Sequence, residues 1–192
     1  MTKTILLTGF EPFGKVTENP SQRLIEHFSS VSVPGIKVIT QILSVTYDGA
    51  GQCICDLTAQ HAPDVIIMLG VAQSRPTISL ERFALNIDDA SIADNAGVLR
   101  QGEAIIKEGN QALQSSLPLQ KMHDAIATKN IPVRYSNHAG AYVCNHIFYC
   151  ALYDLKQHNN DIPCGFIHVP SLETISLEQQ IVAIEACLKI FA

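Results

Sequence analysis

Short apolar runs recur along the chain between segments of helical spacing: Thr4 to Thr8, Lys37 to Leu43, Asp64 to Leu69, Pro132 to Tyr135 and Gly165 to Val169. Most of them lack a polar face, which predicts strands covered by helices on both sides and laid parallel through crossover connections. The helices are marked by their ends. Asn19 followed by Pro20 predicts an N-cap and a first-turn proline opening a helix through about Phe28. Asp48 is expected to cap a second helix toward His61, and Pro118 to Asn130, Tyr142 to Gln157 and Ser176 to Ile190 complete the set. Residues Ser79 to Leu117 break the alternation, with Ser79 to Ile87 reading as a strand and Asp94 to Gly109 as turns and bends. The pattern predicts an α/β chain: an open three-layer α/β/α architecture, a mostly parallel twisted sheet and a hairpin-like insertion around 79–117. A length of 192 residues predicts one domain over residues 1–192.

Composition narrows the classes. Apolar residues make up 47% and charged residues 16% of the chain, which suits a well-buried α/β enzyme. The formal net charge is −5, and the 13 Lys and Arg form no basic run, so a nucleic-acid partner is not expected. No apolar stretch reaches the roughly 18 residues of a membrane span, so no membrane association is expected either. Met1-Thr2-Lys3 leads directly into the first strand without a leader, which predicts a cytoplasmic protein with reduced thiols. Cys53, Cys55, Cys144, Cys150, Cys164 and Cys187 are therefore read as packing or chemistry, not as staples.

Cys144 has the most informative surroundings. It lies in Ala139-Gly140-Ala141-Tyr142-Val143-Cys144-Asn145-His146, where a loop turns into a helix, and a helix start favours a thiolate. The plain alternative for any one cysteine is a small apolar residue in the core. His168, in Gly165-Phe166-Ile167-His168-Val169-Pro170, stands near the end of a strand buried on both faces and needs a partner there. It is either a satisfied core histidine or one arm of a site. The loop Gly9-Phe10-Glu11-Pro12-Phe13-Gly14-Lys15 follows the first strand and superficially suggests a phosphate cradle. Val16 stands where that motif needs Ser or Thr, and its proline and two phenylalanines crowd out phosphates. A loop presenting Phe10 and Phe13 to a small, flat, uncharged ligand at the carboxyl edge of the sheet fits better, beside the alternative of two rings capping the sheet.

Glu81 sits within Ser79-Leu80-Glu81-Arg82-Phe83-Ala84-Leu85-Asn86-Ile87, and two-residue alternation places it on one face with Phe83, Leu85 and Ile87. A carboxylate there pairs with Arg75 or Arg82, or else orients a histidine. A zinc set of Cys144, His146, Cys164 and His168 has poor spacing for a chelate, and Cys53-Ile54-Cys55 suggests only packing.

Together these segments resemble the pyroglutamyl peptidase I family, from Ile5 to the C-terminal helix. The likeness rests on Gly9-Phe10-Glu11-Pro12-Phe13-Gly14 with Asn19-Pro20, on Glu81-Arg82-Phe83-Ala84-Leu85-Asn86, on Ser136 through Asn145, and on Gly165 to Pro170. The resemblance implies a cytosolic cysteine peptidase that assembles as a homo-oligomer, dimer or tetramer. It also implies a triad of Cys144, His168 and Glu81, a substrate pocket involving Phe10, Phe13 and Asn19, and no cofactor or metal. The implied substrate is a peptide with an N-terminal pyroglutamate, whose amide bond is cleaved through a thioester. The family's Gly-Gln-Ala-Gly-Gly-Arg is here Gly70-Val71-Ala72-Gln73-Ser74-Arg75, and its Asp-Ala-Arg-Ile-Pro-Asp-Asn is Asp89-Ala90-Ser91-Ile92-Ala93-Asp94-Asn95. Lys15 stands where a glycine is common. A glycine pair permits backbone shapes that Gln73 and Ser74 resist, so the alternative is a homologue of altered specificity or without catalysis.

Overall fold

The computed structural model describes residues 2–14 and 17–192. Lys15 and Val16, which bear on the phosphate-loop comparison, lie outside the described residues. The central sheet has six strands, which lie in the spatial order β2 (Ile36–Leu43), β1 (Lys3–Phe10), β3 (Val65–Val71), β8 (Cys164–Val169), β4 (Ile78–Glu81) and β7 (Val133–Ser136). Every pairing is parallel except β4 with β8, so β4 and β7 run against the other four strands. The sheet is mostly parallel, as the apolar runs predict. The direction of the last two strands is a correction, because the stretch read as Pro132 to Tyr135 follows β4 and not β8.

Side-chain alternation assigns the two faces. Ile5, Leu7, Ile67, Leu69, Ile78, Leu80, Ile167 and Val169 pack with α1 (Pro20–Ser30), α3 (Leu119–Ala127) and α5 (Leu177–Leu188). Leu6, Phe10, Ile66, Met68, Cys164 and Phe166 face the other layer, formed by α2 (Tyr47–His61) and α4 (Val143–Gln157). By that parity Gly70 of β3, His168 of β8 and both Ser79 and Glu81 of β4 look toward α4. Polar residues at these inward positions are the exception that marks the site.

The stretch Ser79 to Ile87 is not one strand. It breaks at Arg82, whose N–H donates to Ser136 O and whose carbonyl accepts from Ser115 N, both at 2.8 Å. Beyond the break, β5 (Phe83–Leu85) pairs with β6 (Ala112–Gln114) as a separate antiparallel ribbon. The inward residues there are Ala84 and Asn86, so Glu81 does not share a face with Phe83, Leu85 and Ile87 as expected. Asn145 of α4 holds the ribbon by accepting from Leu85 N and donating to Leu85 O and Ile87 O. The second helix likewise begins at Tyr47, not at an Asp48 cap, because its first free N–H donates to the distant Asp94 carboxylate at 3.0 Å.

Candidate active site

The end of β1 carries Phe10, which is buried, and Phe13 follows in the loop. Asn19 anchors this loop. Its Oδ1 accepts from Ser21 N and Ser21 Oγ at 3.0 and 2.9 Å, capping α1, while Nδ2 donates to Glu11 O at 3.0 Å. The sequence signal for a cap is thus correct, and the same amide fixes the approach of the Phe10 loop. One Nδ2 hydrogen remains for another acceptor.

Cys144 occupies the second residue of α4, after a loop that turns at Gly140 with φ of 85°. Tyr142 gives the helix no side-chain cap, and the first intrahelical bond is from His146 N to Tyr142 O at 3.0 Å. The N–H groups of Val143, Cys144 and Asn145 therefore precede the helical ladder. A β-carbon on Gly70 would lie 2.8 Å from Cys144 Sγ, so the thiol rests directly on the bare backbone of β3. Gly70 pairs in register with His168 on the neighbouring strand, which brings thiol and imidazole together over the same patch of sheet.

His168 Nδ1 donates to Glu81 Oε1 at 2.7 Å, across the antiparallel β4–β8 boundary. That contact fixes the ring and leaves Nε2 as an acceptor. Glu81 is fully buried and is also held by Arg75, whose other nitrogen donates to His138 O at 3.2 Å. The two partners weighed for this glutamate, an arginine and a histidine, are both present. Arg75 is the site residue that the sequence reading named only as a competitor.

The charges follow from burial and neighbours. Burial pulls His168 below its ordinary 6.5, against the raising effect of the Glu81 hydrogen bond and charge, with Arg75 adding to the lowering. Glu81 is raised by burial, but the His168 hydrogen bond and charge, then Ser136 and Arg75, outweigh it and hold the carboxyl below its ordinary 4.5. The thiol runs against the sequence expectation. Burial first, and then the Glu81 charge, push Cys144 up to about 12 despite its helix-start position and Arg75. The resting site is therefore a neutral thiol beside a neutral imidazole, backed by a carboxylate.

These groups open onto a cavity of ≈ 240 Å³ walled by Phe10, Phe13, Val45, Val71, Tyr142 and Val143, with Asn19, Ser74, Arg75, Cys144 and His168 supplying its polar edge. The sequence reading missed Val45, which comes from the loop after β2, and gave Tyr142 no part in the pocket, whereas Ser74 lines it as the altered Gly70–Arg75 motif suggests. Gln73 and Ser74 are not among the residues at positive φ, so the expected resistance to a glycine-like backbone does not arise. Ser91 is exposed and outside the cavity wall. The zinc set is dispersed: His146 binds Asp88 and Cys164 is buried in the core on the α2/α4 face, and among the described residues no group of three potential ligands could hold a metal.

A thiol, an imidazole held by a buried carboxylate, and a small apolar slot on an α/β/α sheet define a cysteine hydrolase. Comparison with known proteins narrows the class. The profile of the pyroglutamyl peptidase family matches residues 3–188. The pyrrolidone-carboxylate peptidase of Oceanobacillus iheyensis is 39% identical over 179 residues, 93% of this chain and 89% of that protein. The pyroglutamyl peptidase I structure from Bacillus amyloliquefaciens superposes with a TM-score of 0.91 at 31% identity, covering 96% of this chain and 94% of that one. The pyrrolidone carboxyl peptidase structure from Thermococcus litoralis gives 0.93 at 30% identity, covering 98% and 92%. The chain belongs to the pyroglutamyl peptidase family of cysteine peptidases.

Gly70 yields a direct test of the packing beneath the thiol. Gly70→Ala would place a methyl 2.8 Å from both Cys144 Sγ and Phe166 Cζ, so the sulfur must move. Displacement of a reacting atom by about 1 Å costs roughly 10²-fold, and kcat/KM of Gly70→Ala should fall by that order while the thermal transition stays cooperative. Steady-state kinetics beside a melting curve measures both.

Proposed function

We propose that the ≈ 240 Å³ cavity takes an N-terminal pyroglutamyl ring and that Cys144, His168 and Glu81 divide the hydrolysis of the amide bond after it. The observation that carries the assignment is the stack of Cys144 Sγ on Gly70, in register with a His168 whose Nδ1 lies 2.7 Å from buried Glu81. Pyroglutamate is a flat lactam without a charged amine. Walls of Phe10, Phe13 and Val71 suit its ring, and the spare Asn19 Nδ2 hydrogen suits the lactam carbonyl.

The chemistry starts from the neutral pair. His168 Nε2 takes the Cys144 proton as Sγ attacks the pyroglutamyl carbonyl, and the resulting oxyanion is met by the unladdered N–H groups at the start of α4. Charge separation arises during attack, so the Glu81 carboxylate is most useful when the imidazolium forms. The imidazolium gives its proton to the departing amine, leaving a thioester. Water, deprotonated by His168, then releases pyroglutamate and restores the thiol. A pyroglutamyl dye amide, compared with prolyl and alanyl amides of the same dye, tests the reading. Turnover confined to the pyroglutamyl compound is expected, and failure of reduced, folded protein to cleave it would overturn the proposal.

The substrate partner is a peptide, and assembly as a homo-oligomer in the cytoplasm is part of the same proposal. All six cysteines are unpaired, and no helix among the described residues is long and apolar enough to cross a membrane. Exposed Ile92, Val98 and Leu99 on the insertion offer apolar surface for a second copy.

Acid and base should act on this site with predictable sign. With His168 below 6.5, kcat/KM should lose its acid half at a pH under 6.5, as the base becomes protonated. Stability shares that side. Below 6.5 the unfolded chain takes up the imidazole proton before the folded one does, and near 4.5 the Glu81 carboxyl repeats the effect. Above 9.0 the unfolded Cys144 thiol ionises while the folded one stays protonated toward about 12, so stability falls there too. Urea midpoints taken across pH should peak between about 6.5 and 9.

A further inference from the structure

A second thiol cluster lies on the far side of α4. Cys150 and His146 are one turn apart on that helix, and Gly51 of α2 packs against both. A β-carbon on Gly51 would be 2.8 Å from His146 Nε2 and 3.3 Å from Cys150 Sγ, so thiol and imidazole share one patch as they do over Gly70. His146 Nδ1 donates to Asp88 Oδ2 at 2.8 Å. Asp88 is fully buried and also accepts from Arg100 Nη1 at 2.8 Å, while its other oxygen has no partner. Arg100 in turn reaches Asp48 and stacks 4.7 Å from the centre of the Tyr47 ring. The order of groups, thiol, imidazole, buried carboxylate and arginine, repeats that of Cys144, His168, Glu81 and Arg75.

This cluster opens onto a cavity of ≈ 590 Å³, larger than the substrate slot and walled by Cys55, Asp48, Arg100, Tyr153 and Asp154 among others. Its wall carries both signs of charge, which suits a small zwitterionic peptide and not an apolar ring. A buried carboxylate that fixes a histidine tautomer leaves Nε2 as the acceptor, here beside the same Gly51 backbone as the thiol. Burial first, then Cys55 and Asp88, push Cys150 up to about 12, with Arg100 pulling down, so the thiol needs a base to react. The amide hydrolysis proposed for Cys144 uses none of these residues.

We propose that Cys150, with His146 as base, is a thiol–disulfide exchange site for low-molecular-weight peptide disulfides. His146 Nε2 takes the Cys150 proton, and the thiolate attacks one sulfur of the disulfide. The disulfide bond breaks as the new mixed disulfide forms, and the departing thiolate leaves as a thiol with the proton from His146. No other oxidant is needed. Asp88, Asp48, Arg100 and Tyr47 from the neighbouring elements, with Cys55, Tyr153, Asp154 and His158, are the titratable and charged groups around the imidazole.

The test uses the full chain with Cys144→Ser, which removes the other reactive thiol, treated with glutathione disulfide and followed by intact mass and peptide mapping. One adduct at Cys150, formed ahead of any at Cys53 or Cys55, is expected. Adding His146→Gln should slow it roughly 100-fold, the contribution of a positioned base. First labelling at Cys53 or Cys55, no adduct, or an unchanged rate in His146→Gln would overturn the proposal. Should that variant fail to fold, the pH dependence in Cys144→Ser alone decides. A rate that levels off before pH 9 supports a neighbouring base, and one that climbs tenfold per pH unit through pH 9 refutes it. Cys150→Ser should abolish the adduct in the Cys144→Ser chain and, with Cys144 intact, leave pyroglutamyl amide turnover unchanged.

Discussion

Cys144→Ala should remove turnover of a pyroglutamyl amide by on the order of 10⁶-fold, the scale of deleting the nucleophile of a catalytic triad. The loss belongs to chemistry and not to folding. The thiol lies on Gly70 without supporting a neighbour by hydrogen bond, and trimming one atom from a cavity wall leaves the sheet intact. Removing the sulfur also removes a group that burial and Glu81 keep protonated up to about 12, so the variant should lose some of the alkaline sensitivity of the parent. The slot itself remains, with Phe10, Phe13 and Asn19 in place. A non-hydrolysed pyroglutamyl peptide should therefore still bind and raise the melting temperature, by about 2.7 kcal/mol of stabilisation at a hundredfold excess over Kd. Residual turnover within tenfold of the parent would exclude Cys144 as nucleophile.

How far the sequence foretells such a site depends on the range of the interactions involved. Uniformly apolar strands, Asn19 before Pro20 and the helix after Tyr142 are set by neighbours in the chain, and these elements appear where the pattern predicts them. His168 could be placed near a strand end for the same reason. Glu81 could not be given its neighbours, because its strand is cut at Arg82 by backbone bonds to Ser115 and Ser136, which lie far along the chain. Helix α2 starts two residues early, capped at Thr46 and not Asp48, because Asp94 reaches back to Tyr47. Local logic also misjudged the thiol: a helix start lowers its pKa, but Gly70, Glu81 and the walls of the cleft arrive from three separate segments and win. Gly70 itself is invisible until the sulfur is seen on top of it.

His168→Ala should lower kcat by roughly 10³- to 10⁴-fold with the chain still folded. In the resting site neither partner carries a reaction-ready charge, so the thiol depends wholly on Nε2 for its ionisation. The oxyanion N–H groups at the start of α4 are untouched by the change and should sustain the residual rate. Glu81 keeps Arg75 as a partner in the variant, which spares it an unpaired buried charge and predicts a modest loss of stability. The acid limb of kcat/KM should disappear with the ring, and the remaining rate should climb with pH as free hydroxide takes over ionisation of the thiol. Glu81→Gln provides the graded companion. It keeps a side chain of the same shape beside Nδ1 but no charge to stabilise the imidazolium, so it should lose less than His168→Ala and move the acid limb to lower pH still. A His168→Ala enzyme with parental rates, or a Glu81→Gln enzyme with an unshifted acid limb, would dissolve the partnership that the 2.7 Å contact defines.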